Sequence, residues 1–414
     1  MNIGYVINSF YPVVGGTESY YFDLTNIIAK YHNVCVYTTN VKTGDNFRII
    51  KTNSDTIHAK HQMLGKVELY RSKVTQIPFI TAEKFIERYT RYYRETQSKQ
   101  STIMRQITVF LNWGFSFGIC RHLLQDKLDI IHYTSLPLLH TYSDGFIARL
   151  RGIPSVFYPS FHRGSDHEAF MNRIPFQLAT KVVVHGIDEK QDIQRLFRVP
   201  DEKIEIFPSP IDLKAYNIEL PADFFPALSE RSGVPKVLFI GRLTHNKGFI
   251  FLAETMIDLW KQGLDVDFIY IGVSTAESKF IEPLLQKYPN HAYHFQNIPH
   301  ELKVQLLRLC DMVILPSIVE SWGLVFLEGW SQKKPVIGAK GQCYGREFLK
   351  DNVNGFTVPF LNRQILEERI KNLIEDTGLR KKLGENGYRL LKEKFTMEAV
   401  FPRYLTLYEE ISKR

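Results

Sequence analysis

The sequence predicts an α/β protein built from two open parallel-sheet domains in series. Short apolar runs of strand length alternate with longer stretches of helical periodicity, the pattern of repeated β/α units. The series stops and restarts once, across a segment holding Pro208, Pro210, Pro221, Pro226 and Gly233. The 414 residues are 44% hydrophobic and 13% aromatic, which supplies two or three cores and excludes a disordered chain.

Each element follows from its own pattern. Residues 3–7 are an apolar run, followed by a turn-rich loop over 8–16. From Thr17 the positions Tyr20, Tyr21, Leu24, Ile27 and Ile28 recur at helical spacing, and 33–38 alternates as a strand. Residues 130–133, Ser155–Tyr158 and Lys181–Val184 read as three more buried strands with helical patterns between them. Lys236–Ile240 restarts the cycle. A helix over 248–262, a strand over 266–271 and a strand at Ala292–Phe295 come next. Helix 299–309, strand Met312–Leu315, helix 324–332 and strand 335–337 complete the series. Residues 396–414 form an amphipathic helix in which Pro402 predicts a kink.

Charge and cysteine usage narrow the class. Lys and Arg number 52 against 44 Asp and Glu, a net charge of +8 that suits a soluble protein or one with an anionic partner. No long basic block is present, so no nucleic acid is expected. Cys35, Cys120, Cys310 and Cys343 lie far apart with no Cys/His cluster. A structural zinc site is therefore not expected, and reduced thiols in a cytoplasmic protein are. The N-terminus has no basic leader pattern, and the apolar stretch 107–119 is too short to span a bilayer. One basic-aromatic stretch, 84–105, interleaves Arg88, Arg91 and Arg94 with Tyr89, Tyr92 and Tyr93. It reads either as a solvated helix face or as a peripheral contact with an anionic membrane.

Three loops, each after a strand and before a helix, could carry chemistry. Gly15-Gly16 allows backbone N–H groups to approach an anion at a helix start, or is a tight turn before a Thr17 cap. Its spacing is not that of a dinucleotide fold. Gly241-Arg242-Leu243-Thr244-His245-Asn246-Lys247-Gly248 offers two cations suited to a diphosphate, or two solvated surface cations. Pro316-Ser317-Ile318-Val319-Glu320-Ser321-Trp322-Gly323-Leu324 opens a helix containing Glu328. A carboxylate among Leu324, Val325, Phe326, Leu327 and Trp330 is costly unless something hydrogen-bonds it, and sugar or ribose hydroxyls are suitable donors; otherwise Glu328 is an exposed helix residue.

Taken in order, these loops resemble those of the retaining GT-B glycosyltransferases of family 4, the glycosyl transferases group 1. The Gly-Arg-Leu-x3-Lys-Gly loop and the Glu320-x7-Glu328 spacing are the most specific features. Phe207-Pro208-Ser209-Pro210-Ile211-Asp212 and Asn354-Gly355-Phe356-Thr357-Val358 resemble two further segments of that family. The likeness runs along nearly the whole chain and is weakest over 41–125.

The resemblance implies a GT-B architecture, two Rossmann-like β/α/β domains facing across a cleft. Its limits would be 1–210 plus a crossing helix 396–414, and 211–395. It further implies a retaining, metal-independent transfer of a sugar from a nucleotide diphosphate sugar to a hydroxyl of a glycan or lipid-linked acceptor, with no cofactor. Glu328 matches the ligand of the ribose and Glu320 the ligand of the donor sugar. Gly323 and Leu324 match amides at the diphosphate, and Arg242 and Lys247 its cations. Gly15 and Gly16 fall toward the donor phosphate and acceptor, His162 where a catalytic histidine is often found, and Ile298 near the base. Ser209-Pro210 and Lys333 depart from the pattern, the latter standing where a helix-ending glycine is usual. Other GT-B-like enzymes, such as a nucleotide-sugar epimerase, and an inactive partner subunit are the competing expectations.

Overall fold

A computed structural model describes residues 1–13, 15–42, 56–76, 114–136, 138–163, 166–219, 225–318, 320, 322–342 and 348–413. The chain divides into two units. Unit one comprises Met1–His185, Glu189–Phe207 and Phe401–Arg414, and unit two Gly186–Asp188 and Pro208–Val400. Residues 43–55, 77–113 and 343–347, with the stretch 84–105 and Cys343 among them, lie outside the described residues.

In unit one, β1 (Asn2–Ile7) leads through α1 (Gly16–Ile28) to β2 (Asn33–Thr39). Then come β3 (His61–Leu64), β4 (Val67–Ser72), β5 (Thr75–Gln76), β6 (Gly114–Phe115) and α2 (Phe117–Gln125). The unit continues through β7 (Ile130–Thr134), α3 (Leu139–Leu150), β8 (Ser155–Tyr158), α4 (Arg173–Leu178), β9 (Lys181–Val184), α5 (Ile187–Phe197) and β10 (Ile204–Ile206). The sheet order is β10-β9-β8-β7-β1-β2-β4-β3. All neighbours are parallel except β3 against β4. Inner strands are buried on both faces, as parallel strands under helices require.

Unit two begins with α6 (Leu213–Tyr216), α7 (Pro226–Glu230), β11 (Lys236–Ile240), α8 (Phe249–Lys261) and β12 (Asp267–Ile271). It goes on through α9 (Glu282–Leu285), β13 (Ala292–Phe295), α10 (His300–Leu309), β14 (Met312–Leu315), α11 (Leu324–Ser331), β15 (Val336–Ala339) and β16 (Phe356–Val358). Helices α12 (Arg363–Glu375), α13 (Thr377–Lys394) and α14 (Met397–Ser412) close the chain. The sheet β13-β12-β11-β14-β15-β16 is parallel throughout. One core joins its strands to Phe249, Leu252 and Met256 of α8 and to Phe326, Leu327 and Trp330 of α11.

Several local readings need correction. The first helix starts at Gly16 after an extended Gly15, so Thr17 is not its cap. The antiparallel pair β3–β4 and the short strand β10 were not foreseen. Lys333 does adopt the left-handed conformation, with φ +54°. Its N–H donates to Trp330 O (2.9 Å), and the Lys334 N–H donates to Gly329 O (3.0 Å). This is a complete Schellman ending for α11 built on a lysine.

Helix α14 changes unit at Phe401. Within unit one its tyrosines are anchored by buried hydroxyls. The hydroxyls of Tyr408 and Tyr5 are 2.8 Å apart, and Tyr404 bonds Tyr20. Tyr408 also meets His132 Nδ1 at 2.7 Å, and the other ring nitrogen of His132 lies 3.0 Å from the Tyr21 hydroxyl. Burial depresses the pKa of His132 to about 3, so this network runs through a neutral imidazole.

Candidate functional site

In an open α/β sheet the natural binding place is outside the carboxyl ends of the strands, where the strand order reverses. In unit two the order reverses between β11 and β14. The loops that leave these two strands are 241–248 and 316–323, the same two that the sequence singled out.

The backbone ties these loops together. The Ile318 N–H donates to Asn246 O at 2.9 Å. Gly248 has φ +73°, and a Cβ there would fall 2.2 Å from Pro316 O, so only glycine permits the approach. Gly323 has φ +81° and caps α11 with no side-chain hydrogen bond. Glycine at this position brings no side chain to cap the helix start, and the N-terminus of a helix favours an anion.

Glu320 is 8% exposed. Its Oε2 accepts from Lys247 Nζ at 2.7 Å and from Ser317 Oγ at 3.4 Å. Its own N–H donates to Gln342 Oε1 at 3.0 Å. The second carboxylate, Glu328, lies one turn into α11 and is 9% exposed. Its Oε1 accepts from Lys303 Nζ at 2.7 Å and from the Tyr216 hydroxyl at 2.9 Å. Its Oε2 is buried and has no hydrogen-bond partner among the described residues. A buried carboxylate oxygen left without a donor is costly and is suited to accept one from a ligand.

The structure therefore brings Lys247 to Glu320 and places Gly323 and Leu324 at the helix start that follows. Arg242 is exposed and its side chain makes no hydrogen bond or ion pair among the described residues, while its carbonyl accepts from the Thr244 N–H at 2.8 Å. Ile298 is half-buried and packs on the core of unit two. Sequence reasoning missed Lys303, Tyr216, Ser317 and Gln342. All except Ser317 are remote in sequence from the glutamate they serve, and no spacing rule connects them.

Gly15, Gly16 and His162 belong to unit one. A Cβ on Gly15 would fall 2.3 Å from Glu18 Oε2, and Glu18 Oε1 accepts from Ser9 Oγ at 2.5 Å. The first turn of α1 thus already carries a carboxylate, so a phosphate would meet like charge there. His162 follows β8. Its N–H donates to His167 Nδ1 at 3.2 Å, and the two rings are 5.0 Å apart. Burial, with His162 nearby, holds the pKa of His167 well below the usual histidine range. Close by, buried Glu189 accepts from the His185 N–H (2.7 Å) and the Phe161 N–H (3.2 Å). Burial raises the pKa of Glu189 to about 8 despite these bonds.

One group outside these loops has the composition of a cation site. Among the described residues Asp265, Asp267 and His291 converge. Arg231 already occupies the gathering point, with Nε 3.0 Å from Asp267 and Nη2 2.5 Å from Asp265. A guanidinium supplies the positive charge there.

Two parallel-sheet units of this kind are those of the GT-B fold. Sucrose-phosphate synthase from Thermosynechococcus elongatus superposes with a TM-score of 0.70 at 18% identity, covering 99% of this chain and 98% of that one. Anabaena HepE, solved in complex with UDP-glucose, gives 0.65 at 16% identity, covering 99% and 100%. These likenesses establish the fold. Residues 222–390 match the family described as glycosyl transferases group 1. Similar curated proteins include the alpha-D-kanosaminyltransferase of Streptomyces kanamyceticus, 26% identical over 189 residues, which are 44% of this chain and 48% of that protein. An uncharacterized glycosyltransferase of Methanocaldococcus jannaschii is 30% identical over 175 residues, 42% of this chain and 48% of that protein. The chain thus spans about half the length of these two curated relatives. Among the described residues no helix is long and apolar enough to cross a membrane.

Proposed function

We propose that this chain is a retaining glycosyltransferase. It moves a sugar from a nucleotide diphosphate sugar to a hydroxyl of a glycan or lipid-linked acceptor, without a metal or other cofactor. The observation that carries the proposal is the buried Glu328 carboxylate, bonded through one oxygen to Lys303 and Tyr216 and open at the other. A vicinal diol, such as that of a ribose, presents the hydroxyl donor that the open oxygen lacks. The UDP-glucose complex of HepE supports a nucleotide sugar as the donor.

In this reading Arg242, Lys247 and the open start of α11 at Gly323 and Leu324 take the diphosphate. Negative charge grows on the diphosphate as its bond to the anomeric carbon breaks, and preformed positive charge lowers that barrier. The acceptor oxygen bonds to the anomeric carbon on the face the diphosphate leaves. Its proton passes to the departing phosphate oxygen. Glu320 holds the donor sugar's hydroxyls while Lys247 keeps that carboxylate oriented. Ile298 lies toward the base. Gly15, Gly16 and His162 are assigned to the acceptor, since Glu18 disfavours a phosphate beside Gly15. A cytoplasmic location, with peripheral contact to an anionic membrane through 84–105, completes the proposal.

The decisive experiment is a screen of nucleotide sugars for slow donor hydrolysis by the full chain, with retention read from the anomer first released. Hydrolysis of at least one donor with release of the same anomer supports the reading. Release of the opposite anomer would remove the retaining assignment. No turnover of any nucleotide sugar, with no binding of nucleoside diphosphates, would remove the transferase reading itself.

A further inference from the structure

The strand order of unit one also reverses, between β7 and β1. The crevice outside the carboxyl ends of those two strands is a natural place for a ligand. Asn8 is the first residue beyond β1, Ser135 the first beyond β7, and Thr39 the last of β2. Asn8 Nδ2 donates to Ser135 Oγ at 3.4 Å, so one side-chain amide bridges the two strand ends at the reversal.

Asn8 is held through both its backbone and its side chain. Its carbonyl accepts from the Thr39 N–H (3.3 Å) and the Thr39 hydroxyl (2.5 Å). Its Oδ1 accepts from His140 Nε2. The other ring nitrogen, Nδ1, meets Asp144 Oδ2 at 2.9 Å, one turn along α3. His140 and Asp144 are 1% and 0% exposed. Next to His140, the Thr141 hydroxyl donates to Ser135 O at 2.7 Å and ties the start of α3 to the end of β7. A buried acid and imidazole are seldom the most stable filling of a core, so the value of this pair lies in what it orients. Both ring nitrogens face oxygens. An amide oxygen only accepts, so His140 Nε2 carries the hydrogen between them, and Asp144 fixes the plane of the ring through Nδ1. The amide of Asn8 is thereby set with its oxygen toward α3 and its nitrogen toward Ser135.

A carboxamide has two N–H groups and two oxygen lone pairs. Asn8 uses one of each, is half-buried, and makes no other side-chain hydrogen bond among the described residues. One donor and one acceptor remain on the same group, the complement of a hydroxyl or of a vicinal diol. We infer that Asn8 receives a hydroxyl of the sugar acceptor through these two, and that His140 and Asp144 are positioning residues that hold its amide ready. The inference rests on the transferase reading and adds to it a named acceptor contact. Charge favours an uncharged part of the acceptor here. The Glu18 carboxylate, bonded to Ser9 Oγ beside Asn8 in the chain, disfavours a phosphate. Arg71 reaches the same loop, but it is buried and its terminal nitrogens are committed to Tyr11 O (2.6 Å), Gln62 Oε1 (2.8 Å) and Ala59 O (3.2 Å).

The test uses the full chain, the donor found in the hydrolysis screen, and a panel of methyl pyranosides and sugar phosphates as acceptors. Transfer to at least one uncharged pyranoside is expected. For that acceptor Asn8→Ala should raise KM roughly tenfold, because each neutral hydrogen bond lost costs about two- to tenfold, while donor KM stays as in the parent. His140→Leu/Asp144→Leu removes the pair together and leaves no orphan charge. It should raise the same acceptor KM about three- to tenfold and add nothing in the Asn8→Ala background, a non-additivity that a merely structural role would not produce. Should the leucine pair not fold, the parent decides the matter by nuclear magnetic resonance with ¹⁵N-labelled asparagine. The side-chain amide signals of Asn8, identified by their loss in Asn8→Ala, should move on adding the pyranoside and not on adding a nucleoside diphosphate. An acceptor KM unchanged in Asn8→Ala, amide signals that do not move, additive losses, or transfer to phosphorylated sugars alone would each overturn the inference. So would a donor that is hydrolysed while no panel member is used or bound, and that result would leave the transferase reading standing. No donor turnover and no nucleotide binding would remove both.

Discussion

Lys303 and Glu328 form an ion pair of 2.7 Å that engages only one oxygen of the carboxylate. Lys247 and Glu320 form another of the same length. Each glutamate is thus held in place by a lysine from a different element. Lys303 comes from α10 and Lys247 from the loop after β11. A pair of this kind, partly buried, holds the carboxylate oriented before any ligand arrives.

The two glutamates should separate kinetically. Contacts to the ribose are similar in ground and transition states, whereas contacts to the sugar change as its bond breaks. A hydrogen bond to a charged group is worth about 1.5–3 kcal/mol, so losing one costs roughly ten- to a hundredfold. Glu328→Gln should raise donor KM and weaken nucleoside diphosphate binding by that factor. Glu320→Gln should lower kcat by a similar factor with nucleotide affinity nearly unchanged. Calorimetric titration with the nucleotide and steady-state kinetics with the donor decide it. The reverse pattern would exchange the two roles.

Activity should persist in excess EDTA. In the proposed reading, Arg242, Lys247 and the amides at Gly323 and Leu324 would supply the charge that a divalent cation otherwise brings to a diphosphate. Turnover with the identified donor, measured before and after chelation, should agree within about twofold, far from the several kcal/mol that losing a catalytic metal removes. Complete loss, restored by Mg²⁺ or Mn²⁺, would overturn the metal-independent step.

Lys333→Gly should stabilise the protein. The left-handed conformation costs an L-residue about 1–2 kcal/mol, and glycine adopts it freely. Glycine's greater freedom when unfolded and the loss of the Lys333 contact over the Tyr388 ring offset part of this gain. The net expectation is about 0.5–1 kcal/mol, read as a higher urea midpoint with an unchanged slope. A lower midpoint would mean that the lysine side chain contributes more than its backbone costs.

Acid should destabilise unit one early. His132 and His185 have folded pKa values depressed by burial to about 3, against 6.5 for the unperturbed side chain. The unfolded chain therefore binds protons that the folded one refuses. Stability is full above about pH 6.5 and falls as pH drops toward 3, by about 1.4 kcal/mol per pH unit for each histidine. Between pH 7.5 and pH 5.0 each should cost about 2 kcal/mol. Urea unfolding of parent and His132→Phe at both pH values checks this. The variant should start less stable, because Tyr408 and Tyr21 lose a partner, yet lose less on acidification. An equal loss in both would show that His132 does not carry the effect.

What the sequence disclosed depended on how local its signals are. Strands Ser155–Tyr158, Lys181–Val184, Lys236–Ile240 and Met312–Leu315 are continuous apolar runs because both sheet faces are covered, and their limits were readable to the residue. His61–Leu64 is a partly exposed edge strand with a polar sequence, and three-residue Ile204–Ile206 is too short for a period to register. In the candidate site, the glycines and charged residues of the two loops stood out because their spacing is local. Lys303 and Tyr216 did not, since they reach Glu328 only through the packing of α10 and α6 beside α11. The consequence of Glu18, three residues after Gly15, also went unread, and its charge argues against Gly15-Gly16 as an anion loop.

The tyrosines of α14 have a bearing on the order of events at the ribosome. Tyr5 and Tyr20, near the start of the chain, complete their hydroxyl contacts with Tyr408 and Tyr404, near its end. A nascent chain that has already exposed β1 and α1 must wait until residue 408 has been translated before those hydroxyls are satisfied. Residues of the second unit are all synthesised before that last helix segment arrives. Maturation therefore runs against the usual N-terminal-first sequence, and the first unit synthesised is the last to be finished.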